Sequence, residues 1–211
     1  MMAYSAACER NKDPILARLL PLLSASRQVL EIGSGTGQHA VYFAARLEWL
    51  AWQPTDRDEW LPGLTARIDA EGPANLLPPL RLDVRDPDWP LAGVDAVFTA
   101  NTLHIMSWKC VQSLFERLDE GLADGALLVA YGPFAYGGRH TSASNAAFDA
   151  QLRAQDPLMG VRDFDAVDAL ARSAGLALLE DFTMPANNRL LAWRRVSRPG
   201  RPPQPAPDTS A

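Results

Sequence analysis

Two cysteines in 211 residues are too few for a disulfide framework. Cys8 and Cys110 are not spaced as metal ligands either. No metal is expected, and a reduced, cytoplasmic setting is the simplest expectation. No apolar run approaches the ~20 residues that span a bilayer, so no membrane partner is expected. The opening Met1-Met2-Ala3-Tyr4-Ser5 lacks the basic stretch followed by an apolar one that marks a secretory signal. A basic excess is missing too: 20 Lys and Arg stand against 25 Asp and Glu, a net charge of −5. That argues against a non-specific hold on nucleic-acid phosphate. No internal repeat is present. What remains is of ordinary globular composition, 47% hydrophobic and 21% charged, and is long enough for one domain with a sizeable core.

The most informative stretch is Val29-Leu30-Glu31-Ile32-Gly33-Ser34-Gly35-Thr36-Gly37. An apolar run enters three glycines at every second position, and Gln38 to Arg46 then reads as a helix. Strand, glycine turn and helix open a nucleotide-binding βαβ unit. Glycine permits positive φ and close approach of a ligand to the main chain. The spacing is G-x-G-x-G, not the G-x-G-x-x-G of a pyrophosphate fingerprint.

The remaining pattern alternates strands and helices. Asp13-Pro14 reads as a helix start, with Ile15, Leu16, Leu19, Leu20 and Leu23 on one face. The polar Glu9-Arg10-Asn11-Lys12 before it reads as a solvated entry. Leu50 to Asp56 predicts a second strand ending in an acid, where a carboxylate can accept bonds from ribose hydroxyls. Asp58 is a nearby competitor for that role. Leu80 to Val84 predicts a short third strand with Asp83 at its end. Val94 to Asn101 predicts a buried fourth strand leading to His104. Helix Trp108 to Leu122 and strand Ala126 to Tyr131 follow. Gly132 to His140 reads as a long loop with aromatics, three glycines and Arg139. Ser144 to Gln155 and Phe164 to Ala174 predict helices. Leu176 to Met184 and Leu190 to Arg195 predict two strands joined by Pro185-Ala186-Asn187-Asn188. From Ser197 the composition is that of a disordered proline-rich tail. The expected layout is one domain over 1–196 and a tail over 197–211.

Glu31 followed by the three glycines resembles motif I of the class I S-adenosylmethionine (SAM) methyltransferases. Further segments narrow the likeness: Glu9 to Leu16, Gly35 to Ala40, Trp52 to Asp56, Tyr131 to Phe134, Ser144 to Asp149 and Met184 to Asn188. As a set they resemble the methyltransferase-like protein 26 family, also described as a domain of unknown function, from Tyr4 to about Arg195. The resemblance implies an α/β, Rossmann-like class I methyltransferase fold. Its sheet would be mostly parallel and seven-stranded, with a reversed terminal strand and helices on both faces.

It also implies SAM as cofactor. Glu31, Gly33, Ser34, Gly35 and Gly37 would lie under the methionine and ribose, with Asp56 on the ribose. Asp83 and Val84 would meet the adenine, and Asn101 would complete the cofactor set. His104 is the candidate general base, needed only if the acceptor must lose a proton. Tyr131, Phe134, Arg139, Asn145, Asn187 and Asn188 are the candidate substrate-binding residues. Asn187-Asn188 reads equally as a turn pair. His39 reads as packing or cofactor support. Together these point to methyl transfer to a small-molecule acceptor, with Arg139 suited to an anionic one. A SAM-binding protein without catalysis and a protein or RNA methyltransferase are the alternatives.

Overall fold

The structure, a computed structural model, describes residues 4–197. The tail expected from Ser197 lies outside them but for that first residue. The first half runs α1 (Ala6–Leu22), β1 (Gln28–Ile32), α2 (Gln38–Ala44), β2 (Ala51–Asp56), α3 (Leu61–Glu71), β3 (Leu80–Arg81) and β4 (Ala96–Ala100). Then follow α4 (Trp108–Gly121), β5 (Leu127–Gly132), β6 (Phe134–Tyr136), β7 (Arg139–His140), α5 (Ala143–Gln155), β8 (Arg162–Asp163) and α6 (Phe164–Ser173). The chain closes with β9 (Leu176–Met184), a 3₁₀ turn (Pro185–Asn187) and β10 (Asn188–Arg195).

Seven strands form one sheet in the order β3-β2-β1-β4-β5-β10-β9. β3, β2, β1, β4 and β5 pair in parallel, while β10 runs antiparallel to both of its neighbours. The reversed strand is thus the last in sequence, as the mostly parallel class I pattern requires. Because the sheet is covered on both faces, its inner strands read as continuous apolar runs. Alternate residues then divide between two cores. Leu30, Val97, Leu128, Leu191 and Trp193 pack with α4 and α6. Val29, Phe98, Val129, Leu190 and Ala192 pack with α1, α2 and α3.

The helix N-cap expected at Asp13 lies eight residues earlier, at Ser5. α1 begins at Ala6, with the Ser5 side chain accepting from Cys8 N as N-cap. Pro14 and Pro21 sit inside it, and tertiary packing of Ile15 and Leu19 outweighs their local cost. Asp13 instead accepts a hydrogen bond from the Tyr42 hydroxyl. The stretch read as one long loop after β5 contains β6 and β7, a hairpin that joins β8 in a second, three-stranded sheet. β3 is shorter than expected, two residues in place of five.

The glycine loop is fixed from the side. Gly33 N and Ser34 N both donate to Thr55 O, at 3.1 and 3.0 Å. Gly33, Gly35 and Gly37 all have positive φ. A Cβ on Gly33 would lie 2.7 Å from Thr102 Cγ2, whereas one on Gly35 would have nothing within 4 Å. Thr102 cannot easily yield, because its hydroxyl is held on Ala100 O at 3.0 Å. Gly33→Ala is therefore expected to lower unfolding free energy by about 2–5 kcal/mol, from left-handed strain plus overpacking. Gly35→Ala should lower it by only about 1–2 kcal/mol, from strain alone. Urea unfolding measures both; equal losses would contradict this placement of Thr102.

Candidate active site

Glu31 is the penultimate residue of β1, Asp56 is the last of β2, and Asp83 lies two residues after β3. Glu31, on β1, is 2% exposed and accepts from Trp52 Nε1 at 2.9 Å. Burial pushes its carboxyl up to about 7, against the pull of the Trp52 and Ser34 hydrogen bonds. Asp56, at the end of β2, accepts from Gly35 N at 2.6 Å and from Arg57 N at 2.8 Å. Burial raises its pKa as well, and those two bonds oppose the rise. Asp83 is clasped by Arg85, whose hydrogen bonds bring it down to about 2.

These features suit a cationic, sulfonium-bearing nucleoside. Gly35 presents main chain with open space where a side chain would stand. The Asp56 carboxylate stands beside it, bonded to Gly35 N. Glu31, Asp56 and Asp83 would hold the ligand's cationic and hydroxyl groups.

α1 lies across the loop and brings a polar set with it. Ser5 N donates to Gln38 Oε1, which also accepts from Thr36 Oγ1 at 3.1 Å. Asn11 Oδ1 stands 2.7 Å from His39 Nε2 in a buried contact. Burial lowers His39 to about 4, so it is neutral at pH 7, and its ring stacks on Phe43 at 5.2 Å. Asn188 Nδ2 donates to the Tyr131 hydroxyl at 2.9 Å. Burial raises the pKa of that phenol, while its hydrogen bonds to Asn188 and Asn11 pull it back. Asn145 Nδ2 donates to Asn187 O at 2.9 Å, and Asn187 Nδ2 to Ser144 Oγ at 3.2 Å. α5 is thereby docked on the β9–β10 turn. Asn187 has φ of 59°, so it also makes the turn.

His104 follows β4. A Cβ on Gly132 would lie 3.5 Å from His104 Nδ1 and 3.9 Å from Asn101 Oδ1, so the two side chains converge over the end of β5. Asn101 itself is left-handed, with φ of 58°. His104 is 5% exposed and meets Phe148 edge-on at 5.3 Å. Burial, helped by the charge of Arg162, lowers it to about 4. Arg162 Nε donates to Leu103 O at 3.0 Å, and its Nη2 donates to Met106 O and Leu158 O.

The structure groups Tyr131, Asn145, Asn187 and Asn188, and separately Asn101 with His104. Phe134 packs in the opposite core, with α4 and α6. Arg139 is exposed on β7, opposite Tyr136. Its glycines are anchored: Gly137 N donates to Asp165 Oδ2 at 3.2 Å and Gly138 N to Asp163 Oδ2 at 2.7 Å. Val84 is buried in the α4-side core. Sequence reasoning missed Asn11, Trp52, Phe148 and Arg162. The first three lie in the segments that carry the family resemblance, and Asn11 was masked by its polar neighbours. Arg162 carried no signal.

Comparison with solved structures defines the fold class. The S-adenosylmethionine-dependent methyltransferase SibL, in its apo form, matches with a TM-score of 0.77 at 21% identity, over 91% of this chain and 56% of its own. Human N-acetylserotonin methyltransferase, in complex with SAM, matches at 0.78 and 16% identity, over 90% and 53%. An O-methyltransferase family protein from Burkholderia thailandensis matches at 0.71 and 17%, over 88% and 58%. The chain thus spans little more than half the length of these proteins and shares the class I methyltransferase fold with them. Residues 2–195 match the family "Protein of unknown function (DUF938)", and the chain belongs to that family.

The buried acid gives a pH signature. Glu31 titrates near 7 in the fold against an ordinary 4.5. The stability from its neutral form is complete below about pH 4.5 and lost as pH rises through 7. His39 and His104, lowered from 6.5 to about 4, act in the opposite sense and cost stability as pH falls from 6.5 to 4. Glu31→Gln keeps an acceptor for Trp52 and removes only the first effect. The variant's stability relative to wild type should rise by about 2–3 kcal/mol between pH 5 and pH 8 in urea unfolding. A pH-independent difference would contradict a neutral, buried Glu31.

Proposed function

We propose that this chain is a SAM-dependent methyltransferase acting in the cytoplasm on a small-molecule acceptor. Residues 1–196 would form the methyltransferase domain and 197–211 a tail, and the methyltransferase-like protein 26 family would be its particular kin. The observation that carries the reading is the open Gly35 main chain, held by the Asp56 carboxylate at the end of β2.

SAM supplies a methyl group already activated by its sulfonium. The chain's contribution is to bind, orient and exclude water. Asp56 keeps lone pairs beyond its bonds to Gly35 N and Arg57 N, and these accept from ribose hydroxyls. Asp83 and Val84 border the base, and Asn101 faces the reacting end. Tyr131, Asn145, Asn187 and Asn188 offer neutral donors and acceptors to the acceptor molecule. His104 is neutral at pH 7 and can take a proton at a ring nitrogen. With a pKa of about 4 it is a weak base, so methyl transfer by positioning alone is the larger part of the account. That weakness also favours, as a second reading, a SAM-binding protein without catalysis. An anionic acceptor would rest on Arg139, which stands exposed on β7.

Asp56→Ala should weaken SAM binding by about 1.5–3 kcal/mol in calorimetry, the scale of a hydrogen bond to a charged group. Unchanged affinity would remove Asp56 from the ribose site. If His104 takes a proton, His104→Ala should lower turnover by ~10²–10⁴ with SAM affinity intact. Turnover within a factor of two of wild type would assign His104 to structure alone.

A further inference from the structure

β8 opens with a buried cation. Arg162 pairs in register with Phe134 of β6, and only 8% of the residue is exposed. A guanidinium carries five N–H donors. Nε donates to Leu103 O at 3.0 Å, and Nη2 donates to Met106 O and to Leu158 O. Those bonds use the N–H on Nε and both on Nη2. Nη1 carries two more and has no hydrogen-bond partner among the described residues.

The charge also lacks a counterion. Among the described residues, no carboxylate stands within ion-pair distance of Arg162. Asp149 is the acid whose field reaches it, and Asp149 is already held by Arg153 Nε at 2.9 Å and Val161 N at 2.7 Å. Arg153 adds like charge. Asp156, which ends α5, turns one oxygen to Leu158 N at 2.9 Å. Three carbonyls satisfy N–H groups but do not neutralise a charge, and a buried charge is costly until it is paired.

This cation stands beside the proposed reaction centre. Leu103 O, which Arg162 holds, belongs to the peptide unit that enters His104. Gly160 N donates to the carbonyl of His104 itself at 2.9 Å. The Arg162 charge reaches the imidazole, where it adds to the effect of burial. Phe148 meets the ring edge-on at 5.3 Å, and the ring nitrogens have no hydrogen-bond partner among the described residues. Two buried side chains with unused donors are thus held on one stapled loop, within electrostatic reach of each other. Arg139, in contrast, is exposed on β7.

We propose that Arg162 Nη1 and the imidazole N–H of His104 bind a carboxylate of the acceptor, which is a small organic acid in its ionised form. This rests on the methyl-transfer reading and names the substrate class of that site. A carboxylate carries one charge, as the guanidinium does, and its oxygens accept from both groups. Arg162 is then the residue that selects the acceptor by charge.

The test titrates the full chain, saturated with S-adenosylhomocysteine, at pH 7 with benzoate and with benzamide, which share a shape and differ in charge. Benzoate should bind at least ~10-fold tighter, the scale of a charge-assisted hydrogen bond. The His104 ring protons, identified in NMR spectra by their loss in His104→Gln, should shift saturably with benzoate and stay in place with benzamide. Arg162→Gln should abolish the preference for benzoate and leave S-adenosylhomocysteine affinity unchanged. Arg162 also ties three carbonyls, so if that variant fails to fold, the wild-type affinities and His104 shift decide alone. Equal affinities for the two probes would overturn the proposal. So would benzoate binding that leaves the His104 resonances in place, or a preference that survives in folded Arg162→Gln. Absence of S-adenosylhomocysteine binding would strike the cofactor reading alone, and the same titrations on the unloaded chain would still decide the carboxylate site.

Discussion

The structure depends on one tie, between the glycine loop after β1 and the end of β2. Thr55 O takes both Gly33 N and Ser34 N, and the Asp56 carboxylate takes Gly35 N. Each bond needs the loop to double back on itself. The doubling back needs left-handed backbone at three alternate residues, which is why glycine stands at each. With the loop so held, α2 starts just after Gly37 and the Asp56 carboxylate is fixed against the Gly35 main chain. Loosen this tie and Asp56 loses its place against the loop.

Two helices distant in sequence pack at this end of the sheet. α1 comes from before the first strand and reaches the loop through Ser5 and Asn11. α5 comes after β5 and reaches the β9–β10 turn through Asn145. Between them runs a set of neutral polar groups, His39, Asn11, Tyr131 and Asn188, each paired within the set. Burial keeps the imidazole uncharged, so the group fits against Phe43 and Phe98 without a desolvated ion. Under the proposed reading, such a set would orient a substrate through directional hydrogen bonds.

Much of the fold was legible because the sheet has two covered faces. Continuous apolar runs such as Val97-Phe98 and Leu127-Leu128-Val129 can only be inner strands, and the G-x-G-x-G turn placed β1. The start of α1 was not legible. Pro14 mimics a first-turn proline, and only the packing of Ile15 and Leu19, with Ser5 as cap, shows the helix passing through it. Likewise the β6–β7 hairpin was hidden, because a three-stranded side sheet of two- and three-residue strands leaves no periodicity. At the site, local spacing marked Glu31, Asp56 and the glycines. Arg162 lies 56–59 residues from two of the carbonyls it holds, and nothing in its neighbourhood foretells the contact.

Binding of SAM at the opening above Gly35 is the central claim. Equilibrium dialysis of the purified chain against methyl-labelled SAM measures this directly. One equivalent is expected to bind per chain, displaced by S-adenosylhomocysteine and not by ATP, whose triphosphate would meet the Asp56 carboxylate. No saturable binding of SAM, or displacement by ATP as readily as by S-adenosylhomocysteine, would contradict it.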